Sequence, residues 1–490
     1  MSTKRKSDGK SRAPKKSKKN GKAKHDDLSD FDDEFGSDVS NDGSHSANHT
    51  DNEDVGNEVD LPADDDTLRV KGPDHVGKVL ICGATNWDLV ARKTVPKGCK
   101  TANKGRDLFT PHLFAPLSNI RVHVVVSGCN AAHSVIITEN WKAMVFGRNE
   151  KGQLGTGNTD RSDIPVELEE LKDLTVVGAA CGRNHTLFLT DRGHVYACGD
   201  NKMGQCGIGS TNQMVEKPTR IRYKGPPIVK VACGAEFSMI LDCKGSLYSF
   251  GSPEYGQLGH NTTGEYIQQS GKVNHSCEKS PKMIMHYIEK NKDHITPVEG
   301  VDIRDMACGT NHTIALDSRK RIFSWGFGGY GRLGHADTKD ELVPRIVKFF
   351  ETQGKGIKGI YCGSSFSICV NDFKVAYLFG QTKKTGEANM YPKPMQDLYG
   401  WNIRSVGCGI TATVLAADNS VISFGPSPAF GELGHGVTRK STTTAMEVRA
   451  LDGVYVEQVA MGMHHTLLLA RDETEAEKDK INELPEYEPA

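Results

Sequence analysis

Two short stretches decide the fold: FGRNEKGQLG at Phe146–Gly155 and ACGRNHT at Ala180–Thr186. The first is an apolar strand that ends in an aromatic residue and glycine and is followed by a Gly-x-Leu-Gly turn. The second is Cys-Gly followed by a His-Thr or Phe-Ser pair. Both patterns return along the chain, and internal repetition of this kind is typical of repeat architectures.

The glycine-ended apolar strand and the Cys-Gly pattern each occur seven times when looser copies are included, whereas the Gly-x-Leu-Gly turn follows most but not all of these strands. The glycines that end the apolar strands are Gly83, Gly147, Gly199, Gly251, Gly326, Gly380 and Gly425. The second pattern occurs around Ser127, Cys181, Cys233, Cys308, Cys362, Cys408 and Met461. The period is 52 residues from His133 to His185 and again to Phe237, and it then varies between 46 and 75. Two independent patterns therefore give the same number of units.

Each unit contains four short apolar or alternating segments. In the third copy these segments are Glu216–Ile221, Val229–Cys233, Phe237–Asp242 and Ser246–Gly251. Four short strands repeated seven times predict an all-β, seven-bladed β-propeller with four antiparallel strands per blade. The chain enters on Val79–Gly83, the last strand of a unit, and leaves on Val456–Ala470, the earlier strands of a unit. We therefore expect these N- and C-terminal strands to close the ring as one composite blade, which hides two open edges.

The charge is distributed in blocks. Residues 1–25 contain eleven Lys or Arg and one acid, whereas residues 26–66 contain sixteen Asp or Glu and no Lys or Arg. Since so few apolar side chains cannot offset the entropy of ordering, we predict a disordered arm at 1–66, basic over 1–25 and acidic over 26–66. The propeller is predicted at 76–472, and a charged, exposed C-terminal tail at 473–490.

Cysteine usage and hydropathy indicate the compartment. The 13 cysteines include no CxxC pair, and no apolar run resembles a signal peptide or a membrane span. This composition favours a reducing compartment, the cytosol or nucleus. We also expect a monomer. Two basic clusters, Lys4-Arg5-Lys6 and Lys15-Lys16-Ser17-Lys18-Lys19, are typical of a split nuclear-localisation signal and could also contact nucleic-acid phosphates. A merely solubilising tail is the alternative. Ser29 and Ser37 lie in acidic context and are candidate phosphoacceptors.

The repeated residues resemble the regulator-of-chromosome-condensation repeat family over about residues 76–472. Stretches such as Gly83–Leu89, Trp325–His335 and Gly425–Gly434 resemble one branch of that family, whose members act at the mitotic centromere and midbody. The resemblance implies a propeller that binds small GTPases, of the Rac or Ral type in this branch. It also implies a nuclear and chromosomal location with a cytoskeletal pool. An adaptor for chromatin or microtubules, without exchange activity, is the alternative.

The loops after each aromatic-Gly pair share one face of the predicted ring, so they can form one surface. The candidate GTPase contacts on these loops are Asn149, Glu150, Lys151, Asp200, Lys202, Glu254, Tyr255, Tyr330 and Arg332. The alternative is that each is an ordinary solvated turn residue. An insertion at 261–297, rich in Lys, His and Met, accounts for the longest repeat and is a further candidate for function.

Several motifs are expected to carry no chemistry. Gly326–Gly331 matches GxGxxG, but a turn and a strand should follow it where dinucleotide binding requires a helix. His133, His185, His312 and His465 recur one per blade, and Phe237 or Phe366 replaces them elsewhere, so packing is favoured over metal binding. With no catalytic constellation, we expect neither a cofactor nor an enzyme, beyond at most a guanine-nucleotide exchange factor.

Overall fold

The computed structural model describes residues 68–90, 92, 105–268, 271–291, 294–351, 356–383 and 387–489. All of them belong to one compact unit, residues 47–490. The predicted disordered arm at 1–66 lies outside the described residues, and so do its basic clusters, Ser29 and Ser37. The described chain is almost entirely β, with 33 strands, two short α-helices and five 3-10 turns. The predicted all-β propeller is confirmed.

The strands are short and follow one another in chain order. The first sixteen are β1 Gly77–Ala84, β2 Asp107–Phe114, β3 Val122–Val126, β4 His133–Thr138, β5 Ala143–Gly147, β6 Ser162–Glu167, β7 Val176–Cys181, β8 His185–Thr190, β9 Val195–Asp200, β10 Met214–Arg220, β11 Ile228–Cys233, β12 Phe237–Asp242, β13 Leu247–Gly251, β14 Glu265–Ile267, β15 Val273–His275 and β16 Glu278–Met283.

The remaining elements include both helices. They are β17 Ile288–Asn291, β18 His294–Pro297, β19 Ile303–Cys308, β20 His312–Asp317, β21 Ile322–Gly326, β22 Glu341–Ile346, α1 Lys348–Glu351, β23 Ile357–Cys362, β24 Phe366–Asn371, β25 Ala376–Gly380, β26 Asn389–Pro394, β27 Ile403–Cys408, β28 Thr413–Ala417, β29 Ser420–Gly425, β30 Thr442–Glu447, β31 Val456–Met461, β32 His465–Arg471, α2 Glu475–Asn482 and β33 Glu486–Tyr487.

Five antiparallel blades form separate sheets. Their strand orders are β7-β8-β9-β10, β11-β12-β13-β16, β19-β20-β21-β22 extended by β17-β18, β23-β24-β25-β26 and β27-β28-β29-β30. The other large sheet has nine strands, joins the two ends of the described chain and is called the closing sheet below. The number of blades depends on how this sheet is divided, so seven blades stays a prediction.

The closing sheet contains the predicted pairing of the N- and C-terminal strands. Strand β1 pairs with β32 over seven residues, from Gly77 with Arg471 to Gly83 with His465. The predicted grouping of strands into blades was wrong by one strand. The sequence placed the segment of β10 in the same unit as β11, but β10 pairs with β9 of the preceding blade and not with β11. The strand at Val79–Gly83 is therefore followed by an outer strand, β2, and each end of the chain contributes two main strands to the closure.

Burial differs between strand positions within a blade. All six residues of β8 are buried, whereas only two of the seven residues of the outer strand β10 are buried. Middle strands are covered on both faces by neighbouring blades and therefore read as apolar runs. The core lies between blades: one cluster joins Leu187 of β8 to Ile240 and Phe250 of the next blade.

The glycine at the end of the third strand is required by close contacts within its own blade. Gly147 has a φ of 113°, and a Cβ there would lie 2.6 Å from the Cα of His133 on the paired strand. Positive φ and close backbone approach are both conditions that favour glycine.

The first strands of the sheets converge on a central channel. Its cavity of 460 Å³ is lined mainly by residues of seven first strands, namely β3, β7, β11, β19, β23, β27 and β31. Backbone hydrogen bonds link successive turns at one end of this channel, from Arg183 N to Ala235 O and from Ala235 N to Thr310 O. Asn130 reaches Thr310 at the same end, where the Thr310 hydroxyl donates to Asn130 Oδ1 at 2.8 Å.

The C-terminal segment, expected to be an exposed tail at 473–490, is largely exposed over its described residues but is anchored to the closing sheet by a few buried side chains. Helix α2 begins at a capping box formed by Thr474 and Glu477, and it ends at Asn482, before Pro485. Ile481 and Tyr487 are buried. Strand β33 adds in parallel to β2, and the Tyr487 hydroxyl donates to Thr85 Oγ1 at 2.9 Å.

Candidate partner-binding face

The loops that the sequence singled out lie on one face of the ring. In each antiparallel blade the turn between the first and second strands and the loop between the third and fourth strands lie at the same end. The loops 148–161, 201–213, 327–340 and the described parts of 252–277 (252–268 and 271–277) therefore share a face, called the aromatic-Gly face below. The hairpins between second and third strands, such as 243–246, lie on the opposite face.

Asn149 supports its loop from inside. The residue is fully buried, its Nδ2 donates to Asp160 O at 2.9 Å and to Asn158 O at 3.0 Å, and its Oδ1 accepts from Leu154 N. These bonds satisfy backbone groups that the turn leaves unpaired. Asn149 is therefore not available for direct contact with a partner.

Arg332 is also internal, being only 4% exposed. Its Nε donates to Gly329 O at 2.9 Å, and its guanidinium lies 4.6 Å from the ring centroid of Phe327 and 5.6 Å from that of Tyr330. A cation stacked between aromatic rings stabilises the loop. The sequence placed Arg332 on the right face but could not reveal that its side chain points inward.

Glu150 is engaged by the loop of the closing sheet. Arg92 binds it in a bidentate ion pair, with Nη1 to Oε1 at 2.5 Å and Nη2 to Oε2 at 2.7 Å. Burial opposes ionisation of Glu150, but the Arg92 guanidinium outweighs that effect and lowers the pKa of the carboxyl. A partner that used Glu150 would have to displace Arg92.

Six further predicted contact residues, besides the ion-paired Glu150, retain exposed side-chain surface on the aromatic-Gly face. Lys202 and Glu254 are exposed, whereas four are partly buried, namely Lys151, Asp200, Tyr255 and Tyr330. The ring of Tyr255 packs 4.9 Å from that of Phe327 of the next blade, so these loops touch one another across a blade junction. For these six residues, partner contact stays a prediction.

The insertion adds a separate two-stranded hairpin, β14–β15, to the same face. It presents three exposed apolar side chains, Tyr266, Ile267 and Val273, with Ile267 73% exposed. Its base is fixed by a 2.7 Å bond from Ser276 N to Gly264 O. The sequence identified the insertion as Lys-, His- and Met-rich and missed these residues, although large apolar side chains on both sides of Gly271 were the available signal.

The repeated histidines bind hydroxyl groups across blade junctions. His133 Nε2 lies 2.8 Å from Thr186 Oγ1, and His185 Nε2 lies 3.0 Å from Ser238 Oγ. The Ser238 hydroxyl donates to Gln205 O, so the imidazole Nε2–H donates to Ser238. The same contact joins His312 to Ser367 and His465 to Ser134.

Burial keeps these imidazoles neutral. It lowers the pKa of His185 to about 4 and that of His133 to about 3, where neighbouring charges add to the effect. Within the described residues no cluster of histidine, cysteine or acidic side chains has the geometry of a metal site. The contacts support the packing interpretation of the histidines.

The remaining motifs are structural. Gly329–Gly331 is a 3-10 turn and β22 follows it, as the sequence predicted for the GxGxxG segment. Among the described residues, no helix has the length and apolar character needed to cross a membrane.

Comparison with known proteins defines the class. Residues 78–468 match the family model described as the RCC1-like domain, and the chain therefore belongs to the RCC1-like domain family. This confirms the family resemblance drawn from the repeats. Protein RCC2 of Homo sapiens is 54% identical over 425 residues, covering 86% of this chain and 81% of that protein. The Protein RCC2 homolog of Danio rerio is 54% identical over 432 residues, covering 87% of each chain.

Solved structures support the fold. Prp20p from Saccharomyces cerevisiae, described with its binding properties to Gsp1p and histones, has a TM-score of 0.66 and 18% identity, covering 85% of this chain and 97% of that chain. Human WBSCR16 has a TM-score of 0.61 and 20% identity, covering 81% of this chain and all of that one. At these identities the likeness concerns the fold alone.

Proposed function

We propose that this protein is a non-enzymatic propeller that binds small GTPases on its aromatic-Gly face and acts in mitosis. The observation that carries the proposal is the exposed apolar hairpin β14–β15, which stands on the same face as the exposed Lys202 and Glu254. Binding of Gsp1p by Prp20p supports a GTPase partner. The resemblance to the RCC2 branch supports the mitotic role and the preference for Rac- or Ral-type GTPases.

Such a protein needs no covalent chemistry. A factor that prefers the nucleotide-free GTPase lowers its nucleotide affinity by the same ratio, because the two binding equilibria are linked. An apolar hairpin and an acidic side chain are suited to disturbing the site where a GTPase holds phosphates and Mg²⁺. We assign contact roles to Lys151, Asp200, Lys202, Glu254, Tyr255 and Tyr330, together with the hairpin residues Tyr266, Ile267 and Val273.

The test is binding of the full chain to nucleotide-free Rac-, Ral- and Ran-type GTPases, followed with fluorescent nucleotide. We expect binding to at least one GTPase, and the double variant Ile267→Asp with Val273→Asp weakens it at least tenfold. The control is Phe373→Asp, which changes an equally exposed apolar side chain on the opposite face. If none of the nucleotide-free GTPases binds, the proposal is overturned. If the hairpin variant and the Phe373→Asp control weaken binding equally, the assignment of the GTPase to the aromatic-Gly face is overturned.

The alternative function is an adaptor for chromatin or microtubules, favoured by the eleven basic residues in 1–25 and by the histone binding of Prp20p. The basic clusters would contact phosphates or acidic surfaces and direct the protein to the nucleus. Binding to nucleosomes and microtubules across a salt series, with and without 1–25, tests this function. If deletion of the basic block leaves both affinities unchanged, the electrostatic adaptor is excluded.

We also infer that the closing sheet supplies two blades, giving seven in all. Its two halves are linked through one residue pair, Gly77 with Val122, whereas each half is internally paired over four main strands. Seven first strands around the channel support the same count. An electron-density map of the full chain that resolves six blades would contradict it.

A further inference from the structure

The last residues of the chain lie against the closing sheet and are held there by one aromatic ring. Of the described residues 482–489, called the terminal latch below, Tyr487 alone is buried. Its ring belongs to the core cluster of the closing sheet and lies 6.1 Å from that of Phe114 in a stacked orientation. The position of the terminal latch therefore depends on a single buried side chain.

The backbone contacts of the terminal latch are few. Strand β33 pairs with β2 in parallel at two positions, Leu113 with Glu486 and Phe114 with Tyr487, and Leu113 N donates to Pro485 O at 2.9 Å. A segment at a chain end with so few contacts opens locally at a lower cost than global unfolding. Because the latch ends the chain, its opening does not require any other strand of the closing sheet to unpair.

The Tyr487 hydroxyl lies in a buried polar site. It donates to Thr85 Oγ1 at 2.9 Å, and Thr85 Oγ1 in turn donates to Arg106 O at 2.8 Å and accepts from Arg106 N at 3.0 Å. These bonds close the base of the loop 85–106, which lies on the aromatic-Gly face. The terminal latch is thus connected to that loop through one hydroxyl group.

This site accepts a neutral phenol and disfavours an anion. Burial raises the pKa of the Tyr487 hydroxyl, and the Arg106 guanidinium, 5.7 Å from the ring centroid, offsets only a small part of that effect. A phosphate group carries nearly two negative charges at neutral pH and three further oxygens. A phosphorylated Tyr487 would therefore be excluded from the site by both its charge and its size.

The sequence around Tyr487 is acidic. Glu483, Glu486 and Glu488 surround the tyrosine, all three are exposed, and no Lys or Arg follows Lys480. Kinases select their substrates partly by the charge pattern beside the acceptor residue. Once the latch is open, this stretch is an acidic, accessible segment with one tyrosine, which suits a tyrosine kinase with a basic substrate groove.

We propose that Tyr487 is a phosphorylation site and that its modification releases the terminal latch. A tyrosine kinase captures the open latch and transfers the γ-phosphoryl group of ATP to the phenol oxygen of Tyr487. The phenol proton passes to the catalytic base of the kinase, and ADP is released. The phosphorylated ring does not return to the site beside Thr85, so the Leu113 amide loses its acceptor and the base of the loop 85–106 loosens.

The first measurement uses the full chain with phosphotyrosine incorporated at position 487 during translation. We expect hydrogen exchange of the Leu113 amide to become at least tenfold faster, because its bond to Pro485 O is lost. The matched control carries phosphotyrosine in place of Tyr391, which is 59% exposed on the outer strand β26, and leaves Leu113 exchange unchanged. Tyr487→Phe keeps the ring and loses only the bond to Thr85, so its Leu113 exchange lies between the two.

The second measurement treats the unmodified full chain with ATP and a tyrosine kinase catalytic domain that accepts acidic substrates, and maps the phosphate by mass spectrometry. Tyr266 is the internal standard, because it follows Glu265 and is 45% exposed. Under conditions that label Tyr266, we expect Tyr487 to be labelled as well, and more slowly, because only the open latch reacts.

Three outcomes would overturn the proposal. The first is phosphate on Tyr266 with none on Tyr487, and the second is wild-type exchange at Leu113 in the chain phosphorylated at Tyr487. The third is equal acceleration by phosphotyrosine at 391, since the effect would then not be specific to the latch. Neither measurement includes a GTPase, so the latch and the GTPase face fail or succeed separately.

Discussion

His185 and Phe237 occupy equivalent positions in consecutive blades, but different forces hold the two junctions. His185 is buried and donates to Ser238 of the next blade. Phe237 is equally buried and has no donor, and the hydroxyl at the matching position, Thr313, lies 3.9 Å from the Cys308 thiol. The repeat therefore preserves the shape of a flat ring at this position, while the hydrogen bond across the junction is optional.

The glycine before each ring explains why shape is preserved. A Cβ at residue 182 would lie 2.1 Å from Cε1 of His185, and one at residue 234 would lie 1.9 Å from Cε1 of Phe237. The Cys-Gly pattern thus exists because the ring packs on the glycine. Junctions with histidine and junctions with phenylalanine both require this glycine. We expect their stability to differ in its dependence on pH and on the hydroxyl group of the next blade.

The largest expected effect is the loss of stability in acid. Burial depresses the pKa of His185 in the folded state to about 4, so the unfolded chain binds the proton more tightly. The stability that follows from keeping His185 neutral is fully present above the pKa of a histidine in the unfolded chain, roughly 6.5. It is lost as the pH falls toward 4, and the loss in the free energy of unfolding amounts to about 3 kcal/mol for His185 alone. Urea unfolding of the full chain from pH 7.5 to 4.5 measures it.

The matched variant for this prediction is His185→Phe, which converts the junction to the Phe237 type. We expect the free energy of unfolding of the variant to fall less steeply with decreasing pH than that of the wild type. The difference between the two slopes is at most about 1.4 kcal/mol per pH unit, which corresponds to one proton. Identical slopes for wild type and variant would show that His185 does not titrate as its burial implies.

A smaller loss, about 2–3 kcal/mol, is expected for Gly182→Ala and for Gly234→Ala alike, because each methyl group would overlap a ring that has no room to move. Gly178→Ala is the control, since its methyl group would make an ordinary contact, 3.7 Å from the Leu189 side chain. Thermal unfolding checks all three variants. A harmless Gly234→Ala beside a damaging Gly182→Ala would mean that the junctions do not share the ring-on-glycine contact.

The smallest effects separate the hydroxyl groups. Thr186→Val removes the acceptor of His133 and the donor to Gln153 O, and we expect a cost of about 1–2 kcal/mol. Thr413→Val should be neutral or slightly stabilising. Thr413 holds the hydroxyl position in the blade after that of Phe366, which has no donor, and the buried Thr413 hydroxyl has no nitrogen or oxygen partner in the described chain. Chemical unfolding of both variants measures the difference, and equal costs would refute the distinction.

Part of the candidate site could be anticipated from the repeats. The aromatic-Gly loops lie on one face because antiparallel strands return their loops to the same end at every copy. The burial of Asn149 and Arg332 could not be anticipated, since the sequence of a turn is the same whether its polar side chain hydrogen-bonds to its own loop or to solvent. The apolar tip of β14–β15 lies in the insertion, where no second copy existed for comparison.

The sequence by itself determined the propeller, the position of its repeating units and the meeting of its two ends, because glycine spacing and apolar runs are local consequences of short antiparallel strands. Tertiary structure alone decided which strands share a blade, since β10 could pair with β9 or β11 without any change in its own pattern. It also decided that Tyr487 packs against the closing sheet. Those outcomes depend on which surfaces meet across hundreds of residues, and such meetings leave no local periodicity in the chain.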